Sequence, residues 1–158
     1  MPLPPLPDAA ITLGVRASDW RDAVRLAGEA LCRSGATRAE YTERMVQLVE
    51  EFGAYIVIAP GLALAHARPG PDVREAGISV VTLSQPVVFG HPHNDPVSVI
   101  IGLAVATPDA HVTTVAELAN VFNDPRTIPA LAAASDANEV RRIFALDSDT
   151  VEEGEPAR

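Results

Sequence analysis

From Val97 to Ala106 the chain reads Val-Ser-Val-Ile-Ile-Gly-Leu-Ala-Val-Ala, nearly all aliphatic and without a charge. A strand wet on one face alternates apolar and polar residues, so a run like this belongs to a strand buried on both faces. Interrupted by Ser98 and Gly102, it is too short to cross a bilayer. A strand with two buried faces needs a covering layer on each side of its sheet. Helical patterns on both sides of the run can supply those layers. Trp20, Ala23, Val24, Ala27 and Leu31 recur at helical spacing over Asp19–Arg33, with Ser18 or Asp19 to cap the start and Gly35 to end it. Thr37 and Glu40 have the spacing of a capping box for a second helix, whose apolar stripe is Tyr41, Met45, Leu48 and Phe52 and whose stop is Gly53. After the run, Thr107-Pro108 reads as a cap followed by proline in the first turn. Val115, Leu118, Ala119 and Phe122 form the buried stripe of that helix. Asp124-Pro125 repeats the start signal for a short helix to about Ala134, and Asp136 with Glu139 opens a last one carrying Val140, Ile143 and Phe144.

Between the helical blocks the period changes. Tyr55–Ile58 is a short strand pattern stopped by Pro60-Gly61, Leu62 and Leu64 alternate with alanines up to His66, and Gly77–Leu83 is followed, after a break, by Pro86–Phe89. The order of helices, strands and helices predicts the α/β class: a mixed β-sheet sandwiched by helices on both faces, in a single domain over residues 11–146. With aromatics at only 4%, Val, Leu, Ile and Ala must build the core. Residues 1–10, with four prolines, read as a flexible leader, and residues 147–158, with five acidic side chains, as an acidic flexible tail. The start MPLPPLP lacks the charged-then-apolar order of a secretory signal. A lone Cys32 excludes an intramolecular disulfide and a cysteine-based zinc site, and suits a reducing cytoplasm. The net charge of −9 disfavours nucleic acids and anionic membrane surfaces, and no segment suggests direct membrane insertion. The composition fits a monomer and a homodimer equally.

The common enzyme signatures are absent: no Walker glycine loop, no Gly-x-Ser-x-Gly elbow, no His-Glu-x-x-His helix. Four histidines remain: His66, His91, His93 and His111. If the strand through Leu62 continues, Leu62, Leu64, His66 and Arg68 share one face, and the small residues around His66 leave its ring within reach of another protein. A neutral imidazole is a competent nucleophile. On spacing alone, a histidine that merely closes a strand edge is the commoner outcome. His111 falls in the first turn of the helix after Thr107, where unpaired N–H groups and the positive dipole end favour an anion; an ordinary exposed first-turn residue fits as well. Arg68 could pair with phosphate oxygens, and Arg74 could if its loop folds back; either could equally be a solvated surface arginine. His91, His93 and Asp95 could hold a metal, but the sequence Gly90-His91-Pro92-His93-Asn94 reads first as a turn between strands.

Several of these segments together resemble a known family. Glu51-Phe52-Gly53-Ala54-Tyr55-Ile56-Val57-Ile58-Ala59-Pro60-Gly61-Leu62-Ala63-Leu64-Ala65-His66-Ala67-Arg68-Pro69 is the first. Gly77-Ile78-Ser79-Val80-Val81, Phe89-Gly90 with Asn94-Asp95-Pro96-Val97, and His111 followed by Leu118-Ala119 complete the set. They are similar to the IIA component of the bacterial phosphoenolpyruvate-dependent sugar phosphotransferase system, mannitol/fructose class, ascorbate-type branch, over roughly residues 10–146. The resemblance implies a phosphotransferase that accepts a phosphoryl group on His66 from the histidine-containing phosphocarrier protein and passes it to a IIB component, with no cofactor and no metal. It implies His111 as the second histidine of the site and leaves phosphate stabilisation to Arg68, backbone N–H groups or His111. Many members carry proline before the active histidine, where this chain has Ala65. Mannitol-type members carry an arginine about one helical turn before the strands, where this chain has Val49, Glu50 and Glu51. A regulatory module that carries the phosphoryl group as a signal, without feeding a transporter, would need the same histidine.

Overall fold

The computed structural model describes residues 3–145. The acidic segment 147–158 lies outside the described residues. In chain order the elements are β1 (Ile11–Val15), α1 (Trp20–Arg33), α2 (Ala39–Phe52), β2 (Val57–Ala59), β3 (Leu62–His66), β4 (Gly77–Val87), β5 (Val97–Ala104), α3 (Pro108–Phe122), α4 (Thr127–Ala133) and α5 (Ala137–Ile143). The five strands form one mixed sheet in the order β1-β4-β5-β3-β2. β1 runs parallel to β4 and β3 parallel to β5, while β4–β5 and β2–β3 are antiparallel.

The nearly all-aliphatic run is β5, the central strand of the sheet, and it is covered on both sides. Ile100 and Ala104 face one core with Ala27 and Leu31 of α1 and Met45 and Val49 of α2. Val99, Ile101 and Leu103 face a second core with Leu118 of α3, Leu131 of α4 and Val140 of α5. Gly102 lets α1 sit close on the sheet. A Cβ there would lie 2.3 Å from Ser79 Oγ and 3.2 Å from the Ala27 carbonyl, and that hydroxyl donates to the same carbonyl at 2.8 Å.

The helix starts divide into those made locally and those that are not. Asp19, Thr107 and Asp136 each cap their helix by accepting a backbone N–H with the side chain. The capping box expected at Thr37 and Glu40 does not form. α2 begins at Ala39 behind Arg38, with no side-chain cap. Thr37 is buried and bridges to Val73, and Arg38 N–H donates to the Asp72 carbonyl at 2.8 Å. A long-range tie to the loop after β3 has replaced the local cap.

Three further expectations are corrected. The leader is not loose over the described residues: Leu3 and Leu6 are buried in the second core, and Arg141 holds the Leu6 carbonyl at 3.0 Å. Strand β4 runs without a break to Val87, although its pairing with β5 skips from Thr82 to Val87. Pro86, lacking an N–H, sits in that unpaired stretch. The stripes of α2 and α3 hold except at one residue each, Phe52 and Ala119. α2 buries Tyr41, Thr42, Met45, Val46 and Val49, with Phe52 left 62% exposed. α3 buries Thr114 and Leu118 and packs Val115 and Phe122 against the second core, while Ala119 faces outward. Phe52 lies where the site is found.

Candidate functional site

His66 is the last residue of β3, paired in register with Leu103 of β5. It keeps the side-chain face of Leu62 and Leu64, as alternation requires, but stands where the sheet ends and is only half-buried. Its Nδ1 lies 3.0 Å from the Leu64 carbonyl. A carbonyl can only accept, so this contact places the proton on Nδ1 and the lone pair on Nε2. Nε2 has no hydrogen-bond partner among the described residues. It is the atom available for chemistry.

The chain just beyond His66 is pinned from below. The Tyr41 hydroxyl, buried under the sheet end, accepts the Ala67 N–H at 3.0 Å. It lies 2.6 Å from the Leu103 carbonyl and 3.1 Å from that of Ala67, so its single proton has an acceptor either way. Burial pushes this hydroxyl up to about 12, which keeps it protonated and donating. Tyr41→Phe would leave the buried Ala67 N–H and one carbonyl unpaired. A loss of about 1–3 kcal/mol in urea unfolding is expected, with little change in helix content.

Across from His66, the first turn of α3 brings His111 to a ring-centroid distance of 5.2 Å. Burial, and then the charge of neighbouring His66, hold the His111 ring below the ordinary imidazole value. It is therefore neutral near pH 7 and can offer one N–H. The helix start itself offers less than expected. Pro108 has no N–H, Ala110 N–H is taken by Thr107 Oγ1 at 3.1 Å, and His111 N–H by the Thr107 carbonyl at 3.0 Å. Asp109 adds a negative charge to the same turn. As an anion cradle this terminus is nearly spent, and the His111 ring is its main donor.

His66 and His111 border an open cavity of about 870 Å³, with Arg68 at its edge. Arg68 is exposed and can turn its guanidinium into the cavity. The remaining wall is apolar. The Tyr55 ring stands edge-on to His66 at 5.9 Å, and Phe52 stands edge-on to Tyr55 at 6.4 Å. With Val112 of α3 these make a collar that is 43% exposed at Tyr55, 62% at Phe52 and 69% at Val112. Helical spacing alone does not disclose this collar. Its one signal in the sequence is the aromatic end of the α2 stripe, Phe52, which spacing assigns to the core.

The other candidates are elsewhere. Arg74 is exposed, with its N–H on the Ala36 carbonyl, and does not border the cavity. His91 and His93 lie in the β4–β5 turn, at the opposite end of the sheet from His66. There Asp95 accepts the N–H groups of Phe89, Gly90 and His91, and His91 Nδ1 faces the N–H groups of His93 and Asn94. These polar atoms are spent on shaping the turn, the reading that composition favoured. No helix among the described residues is long and apolar enough to cross a membrane.

Comparison with known proteins agrees with this architecture. The ascorbate-specific PTS system EIIA component of Salmonella choleraesuis is 36% identical over 132 residues, which cover 83% of this chain and 86% of that protein. A proposed PTS IIA domain from Streptococcus pyogenes superposes with a TM-score of 0.79 at 32% identity, covering 87% of this chain and 89% of the other. The mannitol enzyme IIA of Escherichia coli, solved in complex with phosphorylated mannitol enzyme IIB, superposes with a TM-score of 0.76 at 25% identity, covering 88% and 96%. A family model described as the phosphoenolpyruvate-dependent sugar phosphotransferase system, EIIA 2, matches residues 5–146. With sequence, fold and a matched span of that length in agreement, the chain belongs to the EIIA 2 family of the phosphoenolpyruvate-dependent sugar phosphotransferase system.

Proposed function

We propose that this chain is a cytoplasmic phosphocarrier: it takes a phosphoryl group onto His66 Nε2 from the histidine-containing phosphocarrier protein and hands it to a IIB component. One observation carries the reading: a histidine with Nδ1 tied to a backbone carbonyl and Nε2 without a partner, bordering an open cavity opposite a second, neutral histidine. In the forward step the Nε2 lone pair forms a bond to phosphorus as the phosphorus–nitrogen bond to the donor breaks. The donor's phosphorylated ring, protonated on its other nitrogen, leaves as a neutral imidazole. His66 keeps its Nδ1 proton and becomes a phosphorylated imidazolium, whose positive ring the Leu64 carbonyl stabilises. No proton has to move, so positioning and charge compensation are the protein's whole task. His111 donates to a phosphoryl oxygen, and Arg68 neutralises charge at the cavity mouth.

The apolar collar of Phe52, Tyr55 and Val112 supports a protein partner rather than a small substrate. Large exposed apolar side chains grouped around a reactive atom suit a surface that docks and releases. Donor and acceptor would meet the same collar in turn, since both must reach Nε2 and the collar borders the same cavity as His66. The complex solved for the mannitol relative supports a IIB partner, and the name of the Salmonella relative supports ascorbate, or a sugar like it, as the solute carried by the cognate permease. The test is incubation with the phosphorylated carrier followed by intact-mass measurement and tryptic mapping. One acid-labile, base-stable phosphoryl group on the His66 peptide, discharged by a IIB protein, is the expected result. A chain that stays unmodified ends the proposal.

A further inference from the structure

The segment after His66 is held by a constellation that the transfer chemistry above does not use. Arg44 lies on α2, three residues after Tyr41. Its guanidinium forks the Asp72 carboxylate, with Nε to Oδ2 at 2.8 Å and Nη2 to Oδ1 at 2.7 Å. The same Nη2 donates to the Arg68 carbonyl at 2.8 Å. The guanidinium carbon sits 5.3 Å from the centre of the Tyr41 ring, whose hydroxyl holds Ala67. Asp72 is buried, and its own carbonyl takes the Arg38 N–H. Gly70 leaves room for the fork: a Cβ there would lie 2.9 Å from Arg44 Nη2 and 3.2 Å from Asp72 Oδ1.

Ion pairs on a wet surface do little, but this one is bidentate, has a buried carboxylate and carries a third bond to backbone. The hydrogen bond from Arg44 holds the Asp72 carboxyl below the usual carboxylate range. These contacts bear on the chain at Ala67, Arg68, Gly70 and Asp72, directly after the proposed nucleophile. Arg44 itself opens onto a neighbouring hollow and not onto the His66 cavity.

We propose that Arg44 and Asp72 form a latch that fixes residues 67–72 and so sets where the His66 ring and the Arg68 side chain stand during phosphoryl transfer. Arg44 is then a positioning residue. The inference rests on the functional reading above for its kinetic consequence, and on geometry alone for the latch. A displacement of about 1 Å at a reacting group can cost about 100-fold in rate, which makes such a device worth keeping.

The test uses the full chain and single-turnover uptake from the phosphorylated carrier at several donor concentrations. Arg44→Met should lower the rate at saturating donor about tenfold and leave the half-saturating concentration within about twofold of wild type. Arg44→Lys should recover only part of the rate, because an ammonium cannot fork a carboxylate. Asp72→Asn should slow uptake by about threefold, and the double variant Arg44→Met/Asp72→Asn should be no slower than Arg44→Met, as expected of two groups acting as one unit. Saturated rates equal to wild type, or a change confined to half-saturation, would overturn the latch and make Arg44 a docking cation. Amide hydrogen exchange gives a reading that needs no phosphate: Ala67 and Val73 should exchange about tenfold faster in Arg44→Met while β5 is unchanged. If wild type accepts no phosphoryl group, the functional reading fails and exchange alone decides the latch, upheld by acceleration and overturned by its absence. Should Arg44→Met not fold, the near-isosteric Asp72→Asn carries both measurements.

Discussion

His66→Ala takes up no phosphoryl group under conditions that fully load the wild-type chain. The expected loss is complete because the proposed transfer forms its bond at Nε2, and the described residues around the cavity place no second nucleophile in equivalent geometry. His111 is the other imidazole, but it stands across the cavity on α3, without the carbonyl contact that fixes the proton of His66. Folding should survive. The substitution removes one half-buried side-chain hydrogen bond at a strand end, costing about 0.5–1.5 kcal/mol. Intact mass reports the modification, and circular dichroism with a urea titration reports the fold. A folded His66→Ala chain that still gained one acid-labile phosphoryl group would move the nucleophile elsewhere and remove the mechanism.

His111→Ala should slow phosphoryl uptake by about 100-fold, the usual cost of losing one donor aimed at developing charge. The spent helix start makes this residue matter more, because Thr107 already engages the N–H groups of Ala110 and His111. His111→Gln, which keeps an N–H at similar reach, should recover part of the rate. An uptake rate for His111→Ala within about threefold of wild type would remove His111 from the transfer step. The same variant carries a pH signature. In the native state burial, and next the charge of His66, hold His111 below its unfolded value of about 6.5. As pH falls through about 6.5 the unfolded chain binds the proton first, so wild-type stability declines until the native value is passed and then levels. His111→Ala should flatten that decline. Urea midpoints across the acid limb check it, and an unchanged slope would contradict the assigned cause.

The elements that were legible in the sequence are those whose causes are local. The start of α1 at Asp19, of α3 behind Thr107-Pro108 and of α5 at Asp136 follow from a side chain and a backbone N–H three residues apart. The strand at Val97–Ala104 follows from residues with no polar face to show solvent. Alternation and a helix start give the positions of His66, Arg68 and His111, but only the resemblance to a known family gives them a role. Where the reading failed, distant chain had intervened. Thr37 has the sequence of a cap, but the loop at Val73 claims it. Phe52 continues an apolar stripe past the point where anything covers that helix. The proline-rich leader packs because Leu3 and Leu6 find the second core, which no local pattern discloses.

The sequence by itself determined the class of fold, because hydrophobic period and capping depend on neighbours a few residues away; it singled out His66 only through the motif shared with a known family. Only the tertiary structure decided which nitrogen of His66 is available, that His111 comes to face it, that an aromatic collar surrounds both, and that Arg44 reaches Asp72. Each of these depends on residues far apart in the chain meeting at one end of the sheet. Strand order and helix packing set such meetings, and neither is written in any short segment.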